Sequence, residues 1–150
     1  MSVLTNEQKV EILSEIVAIP SVNDNELAVA QYLAQWLNQY DIDTHIDYIS
    51  GQRANLIATI GSGKPVVAVS GHMDVVNEGN HDDWTSPPFE LTERNGHLYG
   101  RGAADMKSGL AALVIAMIEI KASGQLKNGT IKLLATAGEE MEQAGSEQLY

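Results

Sequence analysis

The chain has 150 residues, 44% hydrophobic and 19% charged, values of a folded domain rather than of a disordered segment. Twenty acids against nine Lys and Arg leave a formal charge of −11, which argues against a basic face for nucleic-acid backbones. Cysteine is absent, so disulfides, thiolate metal sites and a Cys nucleophile are excluded, and a reducing, cytoplasmic setting is expected.

Thr5-Asn6-Glu7-Gln8 has the pattern of a capping box, and Val10, Ile12, Leu13, Ile16 and Val17 follow at helical spacing. Pro20 stops that helix. Asn23-Asp24-Asn25-Glu26 offers a second box, ahead of Val29, Leu33, Trp36, Leu37 and Tyr40 on one helical face, with Trp36 assigned to the core. From Asp41 the period becomes two. Ile42, Thr44, Ile46 and Tyr48 alternate with Asp43, His45 and Asp47, as in a half-exposed strand with His45 on its wet side.

Gly51-Gln52-Arg53 turns the chain into a second strand over Asn55–Ile60. Gly61-Ser-Gly-Lys-Pro65 then leads into Val66-Val67-Ala68-Val69, four apolar residues that predict a central strand buried on both faces. That turn is not a phosphate loop, which would need Gly at 58 and Ser or Thr after Lys64; the chain has Ala58 and Pro65. Gly100-Arg-Gly102-Ala-Ala-Asp105 likewise lacks the third Gly of a dinucleotide fingerprint, which weakens a nucleotide-binding reading.

Asn77 to Pro88 reads as a polar loop whose His81, Asp82 and Asp83 could bind a metal, though lone loop polar residues are usually just hydrated. Glu93-Arg-Asn-Gly96 is a hairpin turn. Lys107 to Ala122 is a strongly apolar helix that Gly124 can close, with Leu110, Leu113, Val114, Met117 and Ile118 expected on the sheet. The most apolar run, Leu110–Ile118, is too short to cross a bilayer, and Met1-Ser-Val-Leu-Thr has no signal-peptide character, so no membrane partner is expected. Thr130–Thr136 is another strand, and a helix begins near Gly145.

Chemistry gathers where chain leaves ordered structure. Ser70-Gly-His72-Met-Asp74 and Ala137-Gly-Glu139-Glu140 follow two strands, and Asp105 precedes the helix crossing between them. In an α/β sheet, sites form outside the carboxyl ends of the strands. One imidazole with several carboxylates and no thiolate suits zinc or a related divalent ion. A carboxylate that accepts the other ring N–H can fix the imidazole, and neighbouring glutamates can divide into a ligand and a general base.

The stretches Ser70-Gly-His-Met-Asp-Val75, Trp84 with Pro87-Pro88-Phe89, Leu98-Tyr-Gly-Arg-Gly-Ala-Ala-Asp-Met-Lys-Ser108 and Thr136-Ala-Gly-Glu-Glu140 resemble one family. It is the dinuclear zinc amidohydrolase and peptidase family that includes succinyl-diaminopimelate desuccinylase, acetylornithine deacetylase, aminoacylase and glutamate carboxypeptidase. The four motifs stand in the family's order and span nearly the whole chain. The resemblance implies an α/β, three-layer catalytic domain with a mixed, mostly parallel sheet flanked by helices, truncated here. It implies His72, Asp105 and Glu140 as ligands of two divalent ions, zinc first, with cobalt or manganese also possible. Asp105 would bridge the ions ahead of a cis peptide to Met106. Asp74 would orient His72, and Glu139 would act as general base and acid.

The family has a further acidic ligand and a His nearer its C-terminus, and a lid domain used for dimerisation. Residues 1–150 are therefore expected to be the N-terminal portion of a catalytic domain, inactive alone, whose parent is a homodimer. For that parent the resemblance implies removal of an acyl group from a small N-acyl amino acid. A desuccinylase-like activity comes first, deacetylase-like next, with a dipeptidase or carboxypeptidase acting on short peptides as an alternative. The competing class is a non-catalytic folded module that serves assembly.

Overall fold

The computed structural model describes residues 2–149. The first helix, α1, runs over Asn6–Ala18. Its capping box forms as the sequence predicts: Gln8 N donates to Thr5 Oγ1 at 3.2 Å and Thr5 N donates to Gln8 Oε1 at 2.9 Å. Ile12, Leu13, Ile16 and Val17 face the core, while Val10 lies outside it. Helix α2 spans Glu26–Gln39 and buries Val29, Leu33, Trp36 and Leu37. The box expected over Asn23–Glu26 does not form: the helix starts at Glu26 itself, Asn23 Oδ1 accepts no hydrogen bond, and the Asn25 side chain, now at the cap, bonds nothing either. An orphan N–H of that first turn, on Leu27, instead donates to the carbonyl of Gln52 at 2.9 Å. A tertiary contact thus does the work of a local cap.

Strands β1 (Asp43–Ser50), β2 (Arg53–Ser62) and β3 (Val66–His72) follow. A separate hairpin, β4 (Thr92–Arg94) and β5 (His97–Tyr99), turns through Asn95-Gly96, both at positive φ as a two-residue hairpin of this kind requires. Helix α3 (Ser108–Ser123) then crosses to β6 (Gly129–Thr136), and α4 (Ala144–Gln148) ends the described chain.

The main sheet has the order β1-β2-β6-β3. It is mixed and flanked by helices, as expected, but over the described residues it is not mostly parallel: β3 with β6 is the one parallel pairing, against two antiparallel ones made by the β1-β2 hairpin and its neighbour β6. Alternation along the strands sends Leu56, Ala58, Ile60, Leu133 and Ala135 into one core with α1, α2 and α3. On the opposite face the short α4 brings Ser146 and Leu149 beside Ser70, Leu134 and Thr136.

Strand β3 departs from the sequence reading. It is an edge strand, not a central one, and Val66 and Val67 are 54% and 53% exposed. Only its carboxyl end is covered, where Gly71 meets Met106 and Leu110. An unbroken apolar run permits burial on both faces, but its neighbours decide whether that burial occurs. Among the described residues no helix is long and apolar enough to cross a membrane.

Candidate metal centre

Strands β3 and β6 run parallel in a register that pairs His72 with Thr136, so the segments beyond them emerge on one rim. Met73 N extends the ladder by one step to the Thr136 carbonyl at 2.8 Å. His72 is nearly buried. Its Nδ1 lies 3.0 Å from the Asp74 carbonyl and 3.5 Å from the Asp74 carboxylate, an arrangement that places the ring proton on Nδ1. Nε2 then faces the rim, 3.2 Å from Asp105 Oδ1 and 3.6 Å from Glu139 Oε2.

Asp105 reaches this place through an irregular turn over Ala103–Lys107, in which Asp105 and Met106 leave helical geometry and their peptide is cis. Gly102 enters that turn at φ +74°, a region costly for residues with a Cβ. A Cβ there would also run into Cγ1 of Val75, just beyond Asp74. Gly102→Ala should therefore lower stability by about 2 kcal/mol or more, from backbone strain and overpacking together. A shift of the urea midpoint worth under about 0.5 kcal/mol would show that the turn relaxes freely.

His72, Asp105 and Glu140 each offer one ligand atom, and all three atoms lie within 4.8 Å of one another. The set is graded in exposure: His72 is buried, Glu140 half-buried and Asp105 exposed. Glu139 stands beside it with its side chain half exposed. Burial opposes protonation of His72, but the side chain and carbonyl of Asp74, and then Asp105, outweigh it and raise its pKa to about 9. A cation at Nε2 must displace that proton. For Glu140, burial raises the pKa first; His72 opposes the rise, while Asp105, Glu139 and Asp74 add to it. Crowded carboxylates beside one imidazole nitrogen suit a divalent ion, which would relieve their mutual repulsion.

Asp74 is fully buried and holds the centre from behind. Its two carboxylate oxygens accept the N–H groups of Glu139 at 3.1 Å and Glu140 at 2.9 Å. Burial works against its charge, but His72 and these N–H groups hold its pKa below the usual carboxylate range. By contrast His81 pairs with Glu78 at 3.1 Å in an exposed helical turn over His81–Asp83, and neither it nor Asp82 belongs to the cluster.

Two supporting residues escape a sequence reading. Lys107 is fully buried, and its Nζ donates to the carbonyls of Ile16 at 2.6 Å and Ile19 at 2.8 Å, where α1 has no basic residue of its own. Burial lowers the Lys107 pKa to about 7, with Asp74 opposing the fall. Ser21 Oγ donates to the Met73 carbonyl at 2.7 Å, and Val75 N donates to the Ser21 carbonyl at 2.9 Å. The end of α1 thus braces both the His72 and the Asp105 segments. The one local signal is a Lys at the head of an apolar helix.

Known proteins resemble this chain in sequence and in fold. A probable succinyl-diaminopimelate desuccinylase of Staphylococcus epidermidis is 58% identical over 149 residues, covering 99% of this chain and 37% of that protein. The chain therefore spans well under half the length of that relative. Among solved structures, human carnosine dipeptidase 1 superposes with a TM-score of 0.77 at 28% identity, over 95% of this chain and 34% of that one. The M20 family metallo-carboxypeptidase Sso-CP2 from Sulfolobus solfataricus gives 0.79 at 25% identity, over 89% and 31%. Residues 68–150 match the profile of peptidase family M20/M25/M40, from the middle of β3 through both acidic segments. By that match, the chain belongs to peptidase family M20/M25/M40.

Proposed function

We propose that these residues form the N-terminal part of the catalytic domain of a divalent-metal-dependent amide hydrolase. In this reading the protein releases an acyl group from an N-acyl amino acid, with an N-succinyl substrate first in order. The observation that carries it is the convergence of His72, Asp105 and Glu140 within 4.8 Å on the rim where β3 and β6 end. The 58% identity to a probable desuccinylase supports the acyl group.

His72, Asp105 and Glu140 would hold the ions. When bound, two zinc ions would polarise the amide carbonyl and lower the pKa of the attacking water. Asp74 keeps the His72 Nδ1 proton in place, which leaves Nε2 as the donor atom. Glu139 takes the proton of the attacking water and hands it to the leaving amine nitrogen. The homodimer, the lid domain and the cytoplasmic setting implied by the family resemblance belong to the same reading.

A second reading, a folded module inactive on its own, is favoured for the isolated chain by the size of the donor set. A catalytic zinc usually takes three protein ligands and leaves one position open. Here three side chains would serve two ions. Calorimetric titration of the chain with zinc should accordingly give weak binding, with a Kd above roughly 10 μM, and no turnover of N-succinyl or N-acetyl amino acids. A protein of the relatives' length carrying this sequence should bind two ions tightly and hydrolyse at least one of these substrates. Failure of the longer protein to hydrolyse any of them would overturn the proposed activity.

A further inference from the structure

The segment 137–145 carries Glu139 and Glu140 from the end of β6 into the first turn of α4. Within it Gln143 N donates to the Gly138 carbonyl at 2.6 Å, and Gly145 N donates to the Ala137 carbonyl at 3.0 Å. Strand β2 supplies what closes it. Asn55, fully buried, accepts the N–H of Ala137 on Oδ1 at 3.1 Å and donates from Nδ2 to the Gly145 carbonyl at 2.9 Å. These are the first and last residues of the segment, so one side-chain amide ties both ends.

Asparagine fits this position because a single planar group must both accept and donate. Aspartate would face the Gly145 carbonyl with an acceptor, and alanine would leave two buried backbone groups without a partner. Arg53, two residues earlier on the same face of β2, lies over Gly138 so closely that a Cβ on Gly138 would overlap its guanidinium. From there it reaches Glu26 at 3.4 Å and Glu142 at 3.6 Å. Asp74 pins the middle of the same segment through the N–H groups of Glu139 and Glu140.

We propose that Asn55, with Arg53 beside it, is a positioning residue that sets where Glu139 and Glu140 stand relative to His72. The proposal rests on the reading of Glu139 as general base and Glu140 as ligand. The backbone ladders of β2 with β1 and β6 do not use the Asn55 side chain, so its loss should loosen the segment and leave the sheet intact.

Residue-resolved hydrogen exchange on the 150-residue chain tests the clamp without any metal. In Asn55→Ala the amides of Glu139 and Glu140 should exchange about tenfold faster or more, while those of Leu133 and Ala135 keep their rates. Uniform acceleration at all four would mean a merely structural role and overturn the proposal. Gly145→Ala supplies an independent variant should Asn55→Ala not fold. Helix propensity alone would make that change favourable. The added Cβ, however, would meet Asn55 Oδ1 and lie 2.5 Å from both N and O of Ala137, so the same two amides should speed up. Unchanged rates at Glu139 and Glu140 in either folded variant overturn the clamp.

In a protein of the relatives' length, Asn55→Ala should lower kcat about tenfold or more with KM within about threefold, and Asn55→Gln should not restore it, since its longer arm misplaces both bonds. Wild-type kcat with a loosened segment would remove Asn55 from any part in the reaction. A wild-type protein without hydrolase activity would remove the proposed function instead, and the exchange comparison would still decide the clamp.

Discussion

Glu139→Gln, made in a protein of the relatives' length, should cut kcat by roughly 100- to 10,000-fold while bound metal and KM stay near wild type. Glutamine keeps the size and most of the hydrogen-bonding reach of the side chain but cannot take a proton from the attacking water. The geometry favours a selective loss. The Glu139 side chain is half exposed on the rim, 3.6 Å from His72 Nε2, and lies outside the three-residue donor set. Its backbone N–H, which Asp74 holds, is untouched by the substitution. Metal content by atomic absorption and single-turnover hydrolysis separate the two roles. A variant within about tenfold of wild type, a difference of roughly 1.4 kcal/mol in the barrier, would take the general-base role away from Glu139.

Asp74→Ala should be the most costly single change for folding, at about 3–5 kcal/mol. The carboxylate is fully buried and accepts two N–H groups at once, besides facing the His72 ring. Alanine leaves those N–H groups unpartnered in a site with little access to water, and it frees an imidazole that is itself nearly buried. Asp74→Asn should fall between the two: it keeps the shape and one good acceptor but turns an amide N–H₂ toward one of the donors. Urea unfolding at constant slope reads both losses directly. A loss under about 1 kcal/mol in the alanine variant would mean that water takes over the work of the carboxylate.

The chain shows its site more readily than its support. Helix α1 and its Thr5 cap were legible because a capping box is a local device, complete within four residues. The His72, Asp105 and Glu139-Glu140 segments were legible as a group because each stands at the end of a strand or the head of a helix, and parallel strands deliver their ends to one rim; the choice of His72, Asp105 and Glu140 as the ligand set came from the family resemblance. The box over Asn23–Glu26 was misread because the helix starts only at Glu26 and the first-turn N–H of Leu27 finds the Gln52 carbonyl in another turn. Lys107 looks like an ordinary solvated head of a helix until its ammonium is found on carbonyls some ninety residues earlier. Asn55 reads as one more residue of a short strand, since both of its partners lie more than eighty residues away. Such groups act through tertiary contacts, and apart from the Lys at the head of an apolar helix no local pattern in the sequence marks them.

The exposed run of β3 bears on how the chain behaves in company. An edge strand presents a free row of backbone donors and acceptors, a template on which another strand can add. The opposite edge, β1, carries Asp43 and Asp47, charges of the kind that discourage such pairing. Over Val66-Val67-Ala68-Val69-Ser70 there is no charge and a high β-propensity, with Pro65 guarding only the entry. At high concentration the isolated chain is thus most vulnerable to sheet-extending aggregation along the strand that delivers His72. Solubility and the proposed metal binding are tied to the same seven residues, and a lysine introduced at Val66 or Val67, far along the strand from the imidazole, is the natural gatekeeper between them.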